Sequence, residues 1–128
     1  MSTRSTVSIM YEGGNMKTIY CHFDGNLEDL GQDLLHYDTT EKVHELMLEG
    51  DASYIDSTLD DSRFYSRDFG ETDTHAVSYC SLDDFFENCM LLDYNYIFDS
   101  ATGTWLYFRN LNENFLTEVP NMKSSANA

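Results

Sequence analysis

The densest gathering of chemically capable side chains is Cys21-His22-Phe23-Asp24, a thiol, an imidazole and a carboxylate within four residues. A thiol beside a histidine invites nucleophilic catalysis, and Cys, His and Asp together invite metal ligation. The run Met16–Gly25 alternates apolar and polar residues, however, which is the pattern of a half-buried strand. On a strand Cys21 points away from His22 and Asp24, so only the His-Asp pair shares a face. Two ligands do not make a zinc site, and His36, His44 and His75 have no spacing that supplies the rest. A reactive Cys21 would need electropositive surroundings, the opposite of this composition. The reading is a surface His22–Asp24 pair with no metal and no cofactor.

Other constellations are weaker. Asp68-Phe69-Gly70 matches the magnesium-binding tripeptide of protein kinases, but the Gly-rich loop, the strand lysine and the catalytic-loop motif are missing. No phosphate-binding loop, GxSxG, HExxH or dinucleotide fingerprint occurs. Asp60-Asp61 and Asp83-Asp84 are adjacent acids of the kind that cap a helix or coat a loop. Arg63, Arg67 and Arg109 are read as holding neighbouring carboxylates and the loop around them; a gathered anion grip is the alternative.

The elements that must position these residues follow from the periodicity. Val7–Glu12 and Met16–Asp24 alternate around Gly13-Gly14-Asn15, which predicts a hairpin. Leu27, Leu30, Leu34 and Leu35 predict a helix over Leu27–Tyr37. A second helix follows, with Asp38 as N-cap, Glu41 reaching back, Val43, Leu46 and Met47 inward and Gly50 as its stop. Residues 51–74 show no pattern and read as a long loop. His75–Cys80 reads as a short strand, and Ser81 caps a third helix with Asp83 and Asp84 in its first turn. Tyr94–Asp99 and Thr104–Arg109 form a second hairpin around Ser100–Gly103, and residues 112–119 add a last short element. The expected fold is α+β: a two-layer sandwich, an antiparallel sheet of about four strands from two hairpins, with about three helices on one face. One domain spans 1–120, and 121–128 form a flexible tail.

Charge is the outstanding total: 23 Asp and Glu oppose seven Lys and Arg, a net −16. Residues 18–62 hold twelve acids and one base, and residues 68–108 hold eight acids and no Lys or Arg. The acids are scattered singly through apolar-patterned segments, so folding spreads them over a rigid surface. Such a field repels nucleic acid and anionic membrane and attracts basic partners, while the plain alternative is solubility alone. Cys21, Cys80 and Cys89 are an odd count without CxxC and read as free thiols in a reducing compartment. The opening residues lack an apolar signal core and no run reaches a membrane-spanning length, so the expectation is a soluble intracellular protein. The oligomeric state stays open, a homodimer included.

The second hairpin sharpens the docking idea. With Ile97, Leu106 and Phe108 inward, Tyr96, Trp105 and Tyr107 fall on the opposite sheet face, beside Tyr20 and His22 if the hairpins pair. Rings among acids on an uncovered sheet suit protein docking; the alternative is that the 51–74 loop covers them. The expected contact set is Tyr20, His22, Asp24, Asp60, Asp61, Asp68, Glu71, Asp83, Asp84, Tyr96, Trp105 and Tyr107.

Ser2–Thr6, Ile19–Gly25, the Lys42-Val43 to Gly50-Asp51 segment, Arg67–Glu71 and Tyr94-Asn95-Tyr96 together resemble a set of small acidic proteins of tailed phages and prophages. No activity is assigned to that set, so the resemblance carries over no site residue. It implies a viral accessory protein made in the cytoplasm of an infected bacterium. The chain is shorter between Gly50 and Arg63 than such relatives. On this reading it is not an enzyme. It binds a host nucleic-acid-handling or defence protein, presenting carboxylates where the target expects phosphates. Duplex DNA carries about one charge per 1.7 Å, so sixteen charges match roughly 27 Å, or about eight base pairs. The rival reading is a small ligand-binding, nucleotide-binding or hydrolytic domain using His22, Asp24, Arg67 and Glu71.

Overall fold

A computed structural model describes residues 3–109 and 116–121. Its centre is one mixed sheet of eight strands, with four short helices distributed over both faces. Two hairpins form its middle, as the alternation predicts. β1 (Ser5–Met10) pairs antiparallel with β2 (Met16–Cys21), and β6 (Tyr94–Asp99) pairs antiparallel with β7 (Thr104–Arg109). In the first turn Gly14, at φ +93°, donates its N–H to the Tyr11 carbonyl at 2.8 Å. This is a backbone position that glycine occupies without cost.

The hairpins join through their leading strands, β1 against β6, and those strands run parallel. The intervening chain returns to the same end of the sheet before entering β6, as a parallel neighbour requires. The expected purely antiparallel sheet of four strands is thereby overturned. Four short strands extend it further: β3 (Ala52–Tyr54), β4 (Arg63–Phe64), β5 (Val77–Tyr79) and β8 (Thr117–Glu118). The path runs β4-β3-β2-β1-β6-β7-β8, and β5 shares the free edge of β2 with β3. β5 pairs antiparallel with Met16–Thr18, whereas β3 runs parallel and meets β2 at Cys21.

Helices on one face is the second correction. α1 (Gln32–Leu34), entered through a wide π-type turn at Leu27–Gly31, and α2 (Thr40–Glu49) cover the face that carries Val7, Ile9, Ile19 and Cys21. The expected helix over Leu27–Tyr37 is reduced to these short pieces. α4 (Leu82–Asn88) covers part of the other face, where Phe85 packs on Met16, Ile97 and Phe108. Thr39, not Asp38, caps α2, accepting from the Lys42 N–H at 3.2 Å, while Asp38 forms an ion pair with Lys42 at 3.1 Å. Ser81 caps α4 through the Asp84 N–H at 3.0 Å.

The 51–74 segment is built rather than irregular. It contributes β3, β4 and α3 (Tyr65–Phe69). Arg67 binds it together, donating to the carbonyls of Leu59 at 3.0 Å and Ser62 at 2.7 Å, with its guanidinium 5.0 Å from the Phe64 ring. The expected tail at 121–128 lies outside the described residues apart from Asn121, and the element expected over 112–119 falls within them only at Leu116–Val119. Among the described residues no helix is long and apolar enough to cross a membrane.

Candidate functional site

α2 presents the most concentrated charge. Val43, Leu46 and Met47 fix its inner face in the main core. The opposite side must then carry Glu41, Glu45 and Glu49, one turn apart. Four residues advance about 6 Å along a helix, so the three carboxylates form a stripe about 12 Å long. Like charges at that spacing disfavour the helix by about 0.2–0.5 kcal/mol per pair. Leu48, 69% exposed, sits within the same stripe.

Loops border the stripe on both sides. One shallow cleft holds Glu45 and Lys42 with His36, Thr58 and Asp60, and another holds Leu48 and Glu49 with Glu71, Asp73 and His75. Asp61 accepts from the Thr58 hydroxyl at 3.0 Å, which fixes the tip of the first loop. The second loop turns at Asp73, in the left-handed region at φ +59°, a conformation that aspartate tolerates better than most residues. Local neutralisation is slight. Lys42 pairs with Asp38, and Arg67 pairs with Glu49 at 3.3 Å and Asp68 at 3.0 Å.

Tyr96, Trp105 and Tyr107 apart, the expected contact residues separate into three groups. Asp60 and Glu71 line the clefts beside α2, Asp61 is bonded to Thr58 at the tip of the first loop, and all three are exposed. Asp68 is there too, but its carboxylate accepts from the Phe64 N–H at 2.8 Å and from Arg67, and these bonds hold its pKa below the ordinary value. Tyr20, His22 and Asp24 form a second group at the end of β2. The Tyr20 hydroxyl is hydrogen-bonded to His22 Nδ1, His22 meets the Phe23 ring edge-on at 4.4 Å, and Asp24 is a left-handed turn residue at φ +57°. Asp83 and Asp84 form a third on α4, across the sheet from α2. Asp84 is a local fastening, accepting from the Cys80 N–H at 2.8 Å and Asn88 at 2.6 Å.

The aromatic platform does not exist. Tyr96 and Trp105 are buried in the main core, on the face of Ile19 rather than of Tyr20. The Tyr96 hydroxyl donates to the Gly25 carbonyl at 2.7 Å, and Trp105 Nε1 donates to the Tyr37 carbonyl at 2.9 Å. Large rings whose polar atoms find carbonyl partners contribute most when buried; the α1–α2 layer supplies the cover, and the partners are Tyr37 between the two helices and Gly25 in the turn after β2. Tyr107 packs half-buried beside them, 6.3 Å from the Tyr96 ring.

Of His22, Asp24, Arg67 and Glu71, Glu71 alone lines one of the two clefts beside α2. Arg67 already uses its guanidinium nitrogens on the loop carbonyls and on Glu49 and Asp68. Cys21 is buried, and desolvation pushes its thiol up to about 12, far from thiolate chemistry at neutral pH. Among the described residues no three His, Cys, Asp or Glu side chains gather as metal ligands would. Sequence reading missed Glu41, Glu45, Leu48, Glu49 and Asp73 as a surface. The i, i+4 recurrence of Glu in the predicted second helix was the available signal.

No family model, no curated protein and no solved structure matches this chain.

Proposed function

We propose that the α2 face docks onto a basic, nucleic-acid-handling surface of another protein and occupies it in place of DNA. In the setting implied by the phage resemblance, the chain is an accessory or anti-defence inhibitor acting in the cytoplasm of the infected bacterium. The observation that carries this reading is the charge density of one contiguous face. Asp38, Glu41, Glu45, Glu49, Asp60, Asp61, Asp68, Glu71 and Asp73 oppose only Lys42, Arg63 and Arg67 there. Glu41, Glu45, Glu49 and Lys42 stand on the helix itself and the others flank it on the bordering segments, which leaves six net negative charges around a helix about 15 Å long. A duplex of that length carries about nine. The face thus offers a basic partner a concentrated negative field and repels nucleic acid itself. Exposed Leu48 gives it an apolar centre inside a charged rim, the arrangement of a protein interface.

The test is capture from bacterial lysate at low and high salt, with duplex DNA as competitor and with Glu41→Gln/Glu45→Gln as control. The expected result is a basic protein held at low salt, released by salt or DNA, and not held by the double variant. Capture that ignores ionic strength, or that survives the double substitution unchanged, refutes the proposal.

A further inference from the structure

α4 covers only part of its sheet face. It packs over Met16, Ile97 and Phe108, and away from that cluster the same face carries Thr6, Thr18 and Tyr20. A cleft of about 300 Å³ opens there, between the sheet, β5 and the segment that follows α4. Its walls are apolar and partly bare: Val77 is 51% exposed and Met90 80% exposed, with Tyr79 and Leu92 beside them. Its floor is internally paired, Thr6 donating to Asn95 Oδ1 at 2.9 Å and Thr18 sharing a hydrogen bond with Ser8 at 2.7 Å.

Two charged side chains of opposite sign line this cleft, Arg4 and Asp51. Among the described residues Arg4 has no carboxylate within ion-pair distance. Asp51 uses one oxygen to accept from the Tyr20 N–H at 2.8 Å. The cleft thus places a cation and an anion along the same walls. Burial raises the Asp51 carboxyl above its ordinary pKa, with the hydrogen bond from the Tyr20 N–H and then His75 acting the other way. Among the described residues the Tyr20 N–H is the only hydrogen-bond donor to the Asp51 carboxylate.

We propose that this cleft binds a small apolar zwitterion, an α-amino acid with an aliphatic or aromatic side chain. The ligand's carboxylate pairs with Arg4, its ammonium with Asp51, and its side chain lies against Val77, Tyr79 and Met90. The volume is at the lower end for ligand sites, which suits a body of this size. A fatty acid would pair with Arg4 but leave the half-buried Asp51 carboxylate without a cation. A nucleotide would bring further negative charge to a protein of net −16. The inference is independent of the α2 face, which lies across the sheet.

Calorimetric titration of the full chain tests it, using L-leucine and L-phenylalanine against 3-phenylpropionate, phenethylamine and adenosine monophosphate. The expected result is saturable binding of the amino acids, at least about tenfold tighter than of either single-charge analogue. Arg4→Gln and Asp51→Asn should each weaken it at least about tenfold, and Asp51→Asn keeps an acceptor for the Tyr20 N–H. Cooperative melting of both variants well above the titration temperature separates lost contacts from lost folding. No binding of either amino acid to the wild type, binding untouched by both substitutions in folded protein, or tighter binding of the nucleotide overturns the proposal.

Discussion

Replacing Asp51 tests how the central strand is completed. β5 covers the outer edge of β2 at Met16–Thr18 and β3 meets it at Cys21, which leaves the Tyr20 N–H in the gap between them. The Asp51 carboxylate stands in for the missing backbone acceptor at 2.8 Å. Asp51→Ala strands a part-buried donor, at a cost of about 1–3 kcal/mol. At this chain length that is a melting-temperature loss of roughly 3–10 °C. Asp51→Asn retains an acceptor of the same shape and should lose little. The pH dependence separates the two roles of the group. Its folded pKa is raised by burial, so the native state holds the proton more tightly than the unfolded chain. Wild-type stability from this group therefore falls as pH rises from about 3.8 through the raised folded value. Asparagine has no such term, so the advantage of Asp51→Asn over wild type should grow across that window and stay constant above it. Urea unfolding of the three proteins at several pH values reads this directly. Equal losses for Ala and Asn, or an Asn disadvantage that grows with pH, would refute the reasoning.

Three further outcomes follow from the geometry. Trp105→Ala should cost about 3–5 kcal/mol in denaturant unfolding, against under about 0.5 kcal/mol for a ring on an open sheet face. Gly50→Ala should cost about 3 kcal/mol or more, because the residue sits at φ +82° and an added Cβ would lie 2.4 Å from the Thr74 carbonyl oxygen. In acid the sign is opposite to that of Asp51. Hydrogen bonds hold the Asp68 and Asp84 pKa values below the ordinary 3.8, so stability present above that value is lost as pH falls through the folded values. Asp84→Asn should shrink the acid-unfolding slope, monitored by circular dichroism.

The hairpins, the capped helix at Ser81, the stop at Gly50 and the short strand at Val77–Tyr79 were legible because each has a local cause: alternation, a cap, a left-handed glycine. What failed was information that periodicity does not contain. The alternation in Tyr94–Asp99 and Thr104–Arg109 separates Tyr96, Trp105 and Tyr107 from Ile97, Leu106 and Phe108, but both sets are apolar and period two does not say which face receives the larger helical layer. The large rings went under α1 and α2, and Ile97 and Phe108 under the shorter α4. Strands of two residues, such as Arg63–Phe64, are too short to show any period. The parallel union of β1 with β6 is a choice among long-range pairings that no local pattern encodes. At the candidate site, single acids were visible but their neighbourhood was not. Asp60 and Glu71 belong beside α2 only because β3, β4 and α3 fold the 51–74 segment back along it.

The placement of acids on α2 bears on why the chain is so negative. A coat that served solubility alone would gain from spreading its charges or alternating them with cations one turn away, since opposite charges at that spacing stabilise a helix. Lys42 is the only cation in α2, and it is engaged by Asp38 outside the helix. Glu41 and Glu45 face each other's charge one turn apart, and Glu49 is relieved only by Arg67, which also serves Asp68. Folding then lays Asp60, Glu71 and Asp73 alongside, which concentrates the repulsion further. Salt weakens repulsion of this kind, and a cationic surface weakens it more by placing fixed counter-charges within a Debye length of about 8 Å. The arrangement is disfavoured in the free protein, and the proposed docking on a basic partner would relieve it, an energetic advantage that a purely solubilising coat would not gain.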